Sequence, residues 1–195
     1  PTLRGGAGFG SASSDVESPL IGQQEAAQAI QTGVERAFTV GTPTLVALEG
    51  SRGSGKTRML VYASEVAARM AGDVRIFYAS CREGGSDGSY APFSRLLLDR
   101  FGVTPSTSPS VVRGQMATAV GNAVGSAKAL EIAETTHLLG HLAGIPFPDS
   151  PFLSRLQESP DELHRHACVA TRRLFEGEAQ SRPMLLLLDN MHHAE

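Results

Sequence analysis

GSRGSGKT, at residues 50–57, fits the pattern GxxxxGK[ST] of a phosphate-binding loop. Glycines let the backbone reach positive φ and turn its amides toward a phosphate. Lys56 is suited to the β- and γ-phosphates, and Thr57 can place its hydroxyl on Mg²⁺. The expected nucleotide-binding residues of this stretch are Gly50, Ser51, Arg52, Gly53, Ser54, Gly55, Lys56, Thr57 and Arg58.

The segments around this loop predict a parallel sheet. Residues 44–48 (TLVAL) are a short apolar run, typical of a strand buried on both faces. A helix is predicted from about 57 to 70, and a second buried strand over 74–79. Because this order is strand, helix, strand, the sequence indicates a βαβ unit and the α/β fold class. Further helices are predicted over 23–38, 92–101, 111–143 and 159–176.

A third apolar run, residues 184–188, ends at Asp189. In a parallel sheet this acid would emerge at the carboxyl edge, beside the phosphate-binding loop. There it can hold a metal ion through the shell of water bound to that ion. An Asp that caps the following turn is the alternative. Asn190 follows where a second carboxylate would polarise water, and an amide cannot accept a proton. We therefore expect Lys56, Asp189 and Asn190 at the reacting phosphate and slow hydrolysis.

Composition limits the other classes of function. The chain has 195 residues and a net charge of −3, whereas a nucleic-acid-binding surface would carry a basic excess. No apolar run approaches the roughly 20 residues of a membrane span. Cys81 and Cys168 form no disulfide framework, so we expect reduced thiols in a cytoplasmic protein. Residues 1–18, rich in Gly and Ser, predict a flexible tail or linker.

Two clusters could in principle bind metal, namely His137 with His141, and His164 and His166 with Cys168. We expect ordinary helix histidines instead, because no Glu follows His137 as it would in HExxH. No base is paired with Cys81 in the sequence pattern, so a catalytic thiol is not expected.

Four stretches of this chain stand out: PLIGQ (19–23), GKTRML (55–60), CRE…YAPF (81–93) and DNMHHAE (189–195). In this order they resemble the hhGRE, GKTRLL, GRCYE…PYAPF and DDLHWAD segments of the AAA+/STAND-type ATPase domain of bacterial signalling and regulatory proteins. The resemblance covers residues 19–195. Little within 102–158 matches it, so we expect a helical insertion there.

The resemblance implies a P-loop NTPase fold with three α/β/α layers, incomplete at the C-terminus because one sheet strand would come later in sequence. It implies ATP and Mg²⁺ as cofactors, with Lys56, Thr57 and Asp189 in the roles given above. It also implies that Ile21 and Gly22 border the adenine. ATP or ADP, the remaining domains of a larger chain and a second copy are the implied partners.

A regulatory switch that binds Mg-ATP and hydrolyses it slowly is the leading functional hypothesis. The alternative is a nucleotide-binding interaction module that never hydrolyses, which Asn190 favours. A GTPase is disfavoured because no NKxD motif occurs, and a small-molecule kinase because no acceptor-site pattern is present.

Overall fold

The computed structural model describes residues 22–81, 90–104, 106–125, 128–156 and 158–193. These residues form seven α-helices, two strands, a π-helical turn and a 3-10 turn. In chain order the elements are α1 (Gln24–Glu35), the π turn (Arg36–Val40), α2 (Lys56–Met70), β1 (Arg75–Ser80), α3 (Ala91–Arg100), α4 (Pro109–Val124), α5 (Ala129–Leu142), α6 (Pro151–Leu156), α7 (Pro160–Ser181), β2 (Met184–Asp189) and the 3-10 turn (Met191–His193).

The chain divides into two compact units. The first comprises the residues up to Tyr78 together with Arg182–Asp189, and the second comprises Ala79–Ser181 and Asn190–Glu195. β1 and β2 pair in a two-stranded parallel sheet. A hydrogen bond from Arg75 N to Pro183 O, 2.9 Å long, joins the starts of the two strands. Both strands confirm the sequence predictions, and the fold is consistent with an incomplete α/β sheet.

The predicted strand at residues 44–48 is wrong for the described residues. This segment has no ladder partner, and Leu45 is 92% exposed although burial on both faces was expected. A strand is stabilised by hydrogen bonds to a neighbouring strand, and no described segment supplies one. Within the segment only Leu48 is half-buried, and it packs against the core of the first unit.

The core of the first unit lies between α1, α2 and the sheet. In α2 the buried Met59, Ala63 and Val66 recur at helical spacing and form the inner face of that helix. From α1, Ile30 and Val34 pack into the same cluster, and β2 contributes Leu187. This packing fixes α2 against β2, which brings the start of the helix and the end of the strand to one side of the unit.

Helices α3 to α7 form the second unit, with α4, α5 and α7 packed against one another. Their buried side chains make one cluster: Leu97, Phe101, Val112, Met116, Val120, Leu138, Leu139, Ala143, Ala170 and Leu174. Gly177 of α7 meets the backbone of α4. A Cβ placed there would lie 2.6 Å from the carbonyl carbon of Ala123. The two helices therefore approach as closely as a residue without a side chain permits.

The predicted helix over 111–143 is two helices in the structure, because the chain leaves helical geometry at Gly125, whose φ is +65°. The predicted helix 159–176 extends to Ser181. The stretch 102–158 contains α4, α5 and α6, and its status as an insertion stays a prediction. The predicted tail, residues 1–18, lies outside the described residues.

Candidate functional site

The 50–57 loop turns tightly before α2. Gly53 and Gly55 have φ values of +81° and +88°, which only glycine adopts without strain. Ser54 N donates to Ser51 O at 3.2 Å, closing the turn between them. A Cβ at Gly50 would lie 2.7 Å from Ser54 Oγ, so a larger residue there would require that hydroxyl to turn away. Backbone of alternating φ sign is the arrangement found in anion-binding nests, where successive amides point to one side.

Lys56 is the first residue of α2, so the loop leads directly into a helix N-terminus. Its Nζ donates to Gly50 O at 2.7 Å and to Ser51 O at 2.8 Å. An ammonium group has three donors, and among the described residues these two carbonyls take two of them. One donor therefore remains for a phosphate oxygen without breaking either bond.

Thr57 meets Asp189 across 132 residues of sequence. Thr57 Oγ1 donates to Asp189 Oδ2 at 2.9 Å, and Asp189 is only 7% exposed. Tyr78 OH lies 3.4 Å from the same oxygen. The structure thus brings together the two residues predicted to flank Mg²⁺ and adds a phenol. Sequence reasoning missed Tyr78, because its partner is 111 positions away in the chain.

The other predicted ligands include two arginines of the loop region and the two residues expected at the adenine. Arg52 is exposed at the loop. Arg58 forms an ion pair with Glu65, seven residues further along α2, with Arg58 Nη1 3.3 Å from Glu65 Oε1. Gly22 is exposed with a φ of +81°, and Ile21 lies outside the described residues.

Gln23 was not predicted as a site residue, yet its side chain contacts the loop. Its Nε2 donates to the carbonyl oxygen of Ser54. The two residues are 31 apart in sequence, so no local pattern indicates the contact.

Asn190, in the second unit, has a left-handed backbone with a φ of +55°, which asparagine tolerates better than most residues. Its Nδ2 donates to Ser80 Oγ at 3.1 Å. Arg95 in turn donates to Ser80 O at 2.8 Å. Ser80 ends β1, so the Asn190 amide is held by the end of that strand within the same unit.

Cys81 is buried, and its Sγ lies 3.8 Å from the sulfur of Met191. Burial raises the pKa of the Cys81 thiol, while the nearby Arg95 acts in the opposite direction. Because a thiol rather than a thiolate is favoured, this environment does not activate a nucleophile. Cys168 is an exposed free thiol.

Within the described stretches, no group of three or more His, Cys, Asp or Glu side chains is arranged to hold a metal ion. His137 instead pairs through Nδ1 with Ser150 Oγ at 2.7 Å, and its ring lies 4.4 Å from that of Phe147. Burial lowers the pKa of His137. This histidine is part of the helical core.

The donor set of the first unit fits a magnesium-bound polyphosphate. Mg²⁺ prefers hard oxygen ligands, usually one or two from the protein with the rest from phosphates and water. Thr57 Oγ1 and Asp189 Oδ2 are such oxygens and already lie side by side. The adjacent loop supplies amides and the Lys56 ammonium, the groups that neutralise phosphate charge.

Comparison with known proteins agrees with this arrangement. Among the helices that the structure describes, none has the length and apolar content to cross a bilayer. No curated protein and no solved structure matches the chain. A family model described as "AAA ATPase domain" matches residues 19–195, which is most of the sequence. The chain therefore belongs to the AAA ATPase domain family.

Proposed function

We propose that this chain is an ATP-binding switch domain that holds Mg-ATP on the 50–57 loop and hydrolyses it slowly. The observation that carries the proposal is the 2.9 Å contact between Thr57 and Asp189. It joins the end of the phosphate-binding loop to the end of a buried strand, at the point where a phosphate-bound metal needs oxygen ligands.

Each residue of the first unit has a distinct role in this proposal. The amides of residues 53 and 55–57 and the Lys56 ammonium bind the phosphates, and Thr57 and Asp189 hold Mg²⁺ directly or through its water. Magnesium, when bound, supplies charge neutralisation at the β- and γ-oxygens. Tyr78 OH, beside Asp189 Oδ2, orients that carboxylate.

Slow turnover is proposed because Asn190 directly follows Asp189, the acid that we propose holds Mg²⁺. Its amide donates to Ser80, and an amide has no basic oxygen able to take a proton from water. The same observation favours a second candidate, a nucleotide-binding interaction module without hydrolysis. The family supports nucleotide binding for both candidates.

Binding is tested by titrating the chain with a fluorescent ATP analogue and Mg²⁺, with unlabelled ATP and GTP as competitors. Lys56→Ala removes a charged hydrogen-bond donor, so we expect affinity to fall about 10- to 100-fold. Lys128→Ala removes the chain's other lysine and is the matched control, with unchanged affinity expected. Equal binding by Lys56→Ala and the unaltered chain would refute the assignment of the phosphate site.

Phosphate release at saturating ATP separates the two candidates, because the interaction module would bind ATP and release none. Asn190→Asp supplies a carboxylate at a backbone conformation that Asp also tolerates. We expect it to raise turnover. An unchanged or lower rate would show that the missing acid is not what limits hydrolysis.

The wider context is also proposed. The switch would act within a larger signalling protein in the cytoplasm, passing its nucleotide state to neighbouring domains or to a second copy.

A further inference from the structure

Gln23 occupies the N-cap of α1, and its side chain makes no capping bond to that helix. Its backbone oxygen accepts from Ala27 N at 3.0 Å, which fixes the residue at the helix start. The side-chain amide, half-buried, donates instead to the Ser54 carbonyl in the phosphate-binding loop. The residues preferred at this position, Ser, Thr, Asp and Asn, use the side-chain oxygen on their own helix. Here the donor is committed to a loop distant in sequence.

The geometry of the Ser54–Gly55 peptide gives this bond a consequence. The described chain has no cis peptide bonds, and in a planar trans peptide the C=O and the following N–H point in opposite directions. A donor that holds the Ser54 oxygen on one side therefore directs the Gly55 N–H to the other. Because Gly53 and Gly55 both have positive φ, this N–H belongs to the concave set of loop amides.

The contact between Gln23 and the loop is also steric. A Cβ built on Gly55 would lie 2.9 Å from Gln23 Nε2, so the amide packs directly on the glycine. The loop carbonyls are thus held by two side-chain donors, Lys56 at Gly50 and Ser51, and Gln23 at Ser54. Both leave the backbone amides available to a ligand.

We propose that Gln23 is a positioning residue for phosphate binding: its amide holds the Ser54 carbonyl outward and so keeps the Gly55 N–H directed at the phosphate. The proposal rests on the proposed function, because it needs a phosphate on the loop. The role requires a donor. A carboxylate at position 23 could not donate to a carbonyl and would add negative charge beside the phosphates.

Three variants of the chain separate the effect of the hydrogen-bond donor at position 23 from the effect of side-chain length. Gln23→Met keeps the length without a donor, Gln23→Glu has acceptors only, and Gln23→Arg restores a donor. Gln28→Met makes the same change at an exposed position of α1 and is the matched control. Two ligands are titrated by calorimetry: Mg-ATP, and inorganic pyrophosphate, which has no base or sugar.

We expect Gln23→Met to weaken the binding of both ligands about tenfold, since it removes one half-buried hydrogen bond that orients the site. Gln23→Glu should be weaker still, whereas Gln23→Arg and Gln28→Met should stay within about threefold of the unaltered chain. In the ligand-free protein, the Gly55 amide resonance should shift in Gln23→Met and not in Gln28→Met. If Gln23→Met fails to fold, Gln23→Glu against Gln23→Arg makes the same comparison.

Two outcomes would overturn the role of Gln23. One is unchanged pyrophosphate affinity in both Gln23→Met and Gln23→Glu. The other is loss of ATP affinity without loss of pyrophosphate affinity, which would place Gln23 at the base. Failure of the proposed function differs from both, because the unaltered chain would then bind neither ligand, and Lys56→Ala would change nothing.

Discussion

Replacing Gly177 by alanine tests the close approach of α7 to α4. Replacing a glycine inside a helix by alanine stabilises the protein by about 1 kcal/mol where the new methyl group has room. At Gly177 the new Cβ would lie 2.6 Å from the Ala123 carbonyl carbon, whereas carbon atoms pack at about 3.5–4.0 Å. The Ala123 carbonyl oxygen lies nearer still, so the helices must separate by more than about 1 Å. Because the obstacle is backbone and cannot rotate away, we take the upper end of the overpacking cost, about 3 kcal/mol.

The net expectation for Gly177→Ala is a loss of about 2 kcal/mol. Gly114→Ala is the matched control on α4, since its Cβ would meet nothing within 4 Å and only the propensity gain of about 1 kcal/mol applies. The two variants should differ by about 3 kcal/mol, or about 6–12 °C in Tm for a chain of this length. Thermal unfolding followed by circular dichroism measures the difference. A Tm for Gly177→Ala equal to or above that of Gly114→Ala would refute the packing argument.

Two further predictions concern charged groups of the second unit. Glu178→Gln removes the acid that pairs with Arg100. Because the side chains of Glu178 and Arg100 are only 5% and 19% exposed, urea denaturation should show a loss of about 3 kcal/mol in the free energy of unfolding. Glu176 forms an exposed ion pair with Arg172, so Glu176→Gln should lower the free energy of unfolding by less than about 0.5 kcal/mol. Equal losses for the two variants would contradict the distinction between the buried and the exposed pair. The lowered pKa of His137 means that the unfolded chain binds its proton first, so stability should fall as pH drops below about 6.5. His137→Phe should flatten that part of the urea-midpoint profile, and an unaltered slope would show that another group is responsible.

The tight turn of the 50–57 loop could be predicted from sequence because its requirements are local. Positive φ at Gly53 and Gly55, a lysine and a hydroxyl are properties of eight consecutive residues. β2 was predicted for a similar reason, since a run of leucines ending in Asp189 has few other stable placements in an α/β fold.

The segment 44–48 shows the limit of such patterns. Its apolar residues satisfy the local signature of a strand, but a strand also needs a neighbour that the segment itself does not encode. Gln23 and Tyr78 were missed because each acts through one contact with a residue far along the chain, Ser54 or Asp189. Composition and periodicity carry no information about such pairs.

The division of the chain has a consequence for the order in which the molecule forms during synthesis. The first unit is assembled from two separate pieces, whereas the second unit is almost entirely the continuous stretch Ala79–Ser181. All of its α-helices lie within that stretch, so their packing against one another needs no residue synthesised after it. Asp189 leaves the ribosome more than a hundred residues after Thr57. The helices can therefore fold before Thr57 has met Asp189, and the proposed nucleotide site is complete only after Asp189 has left the ribosome.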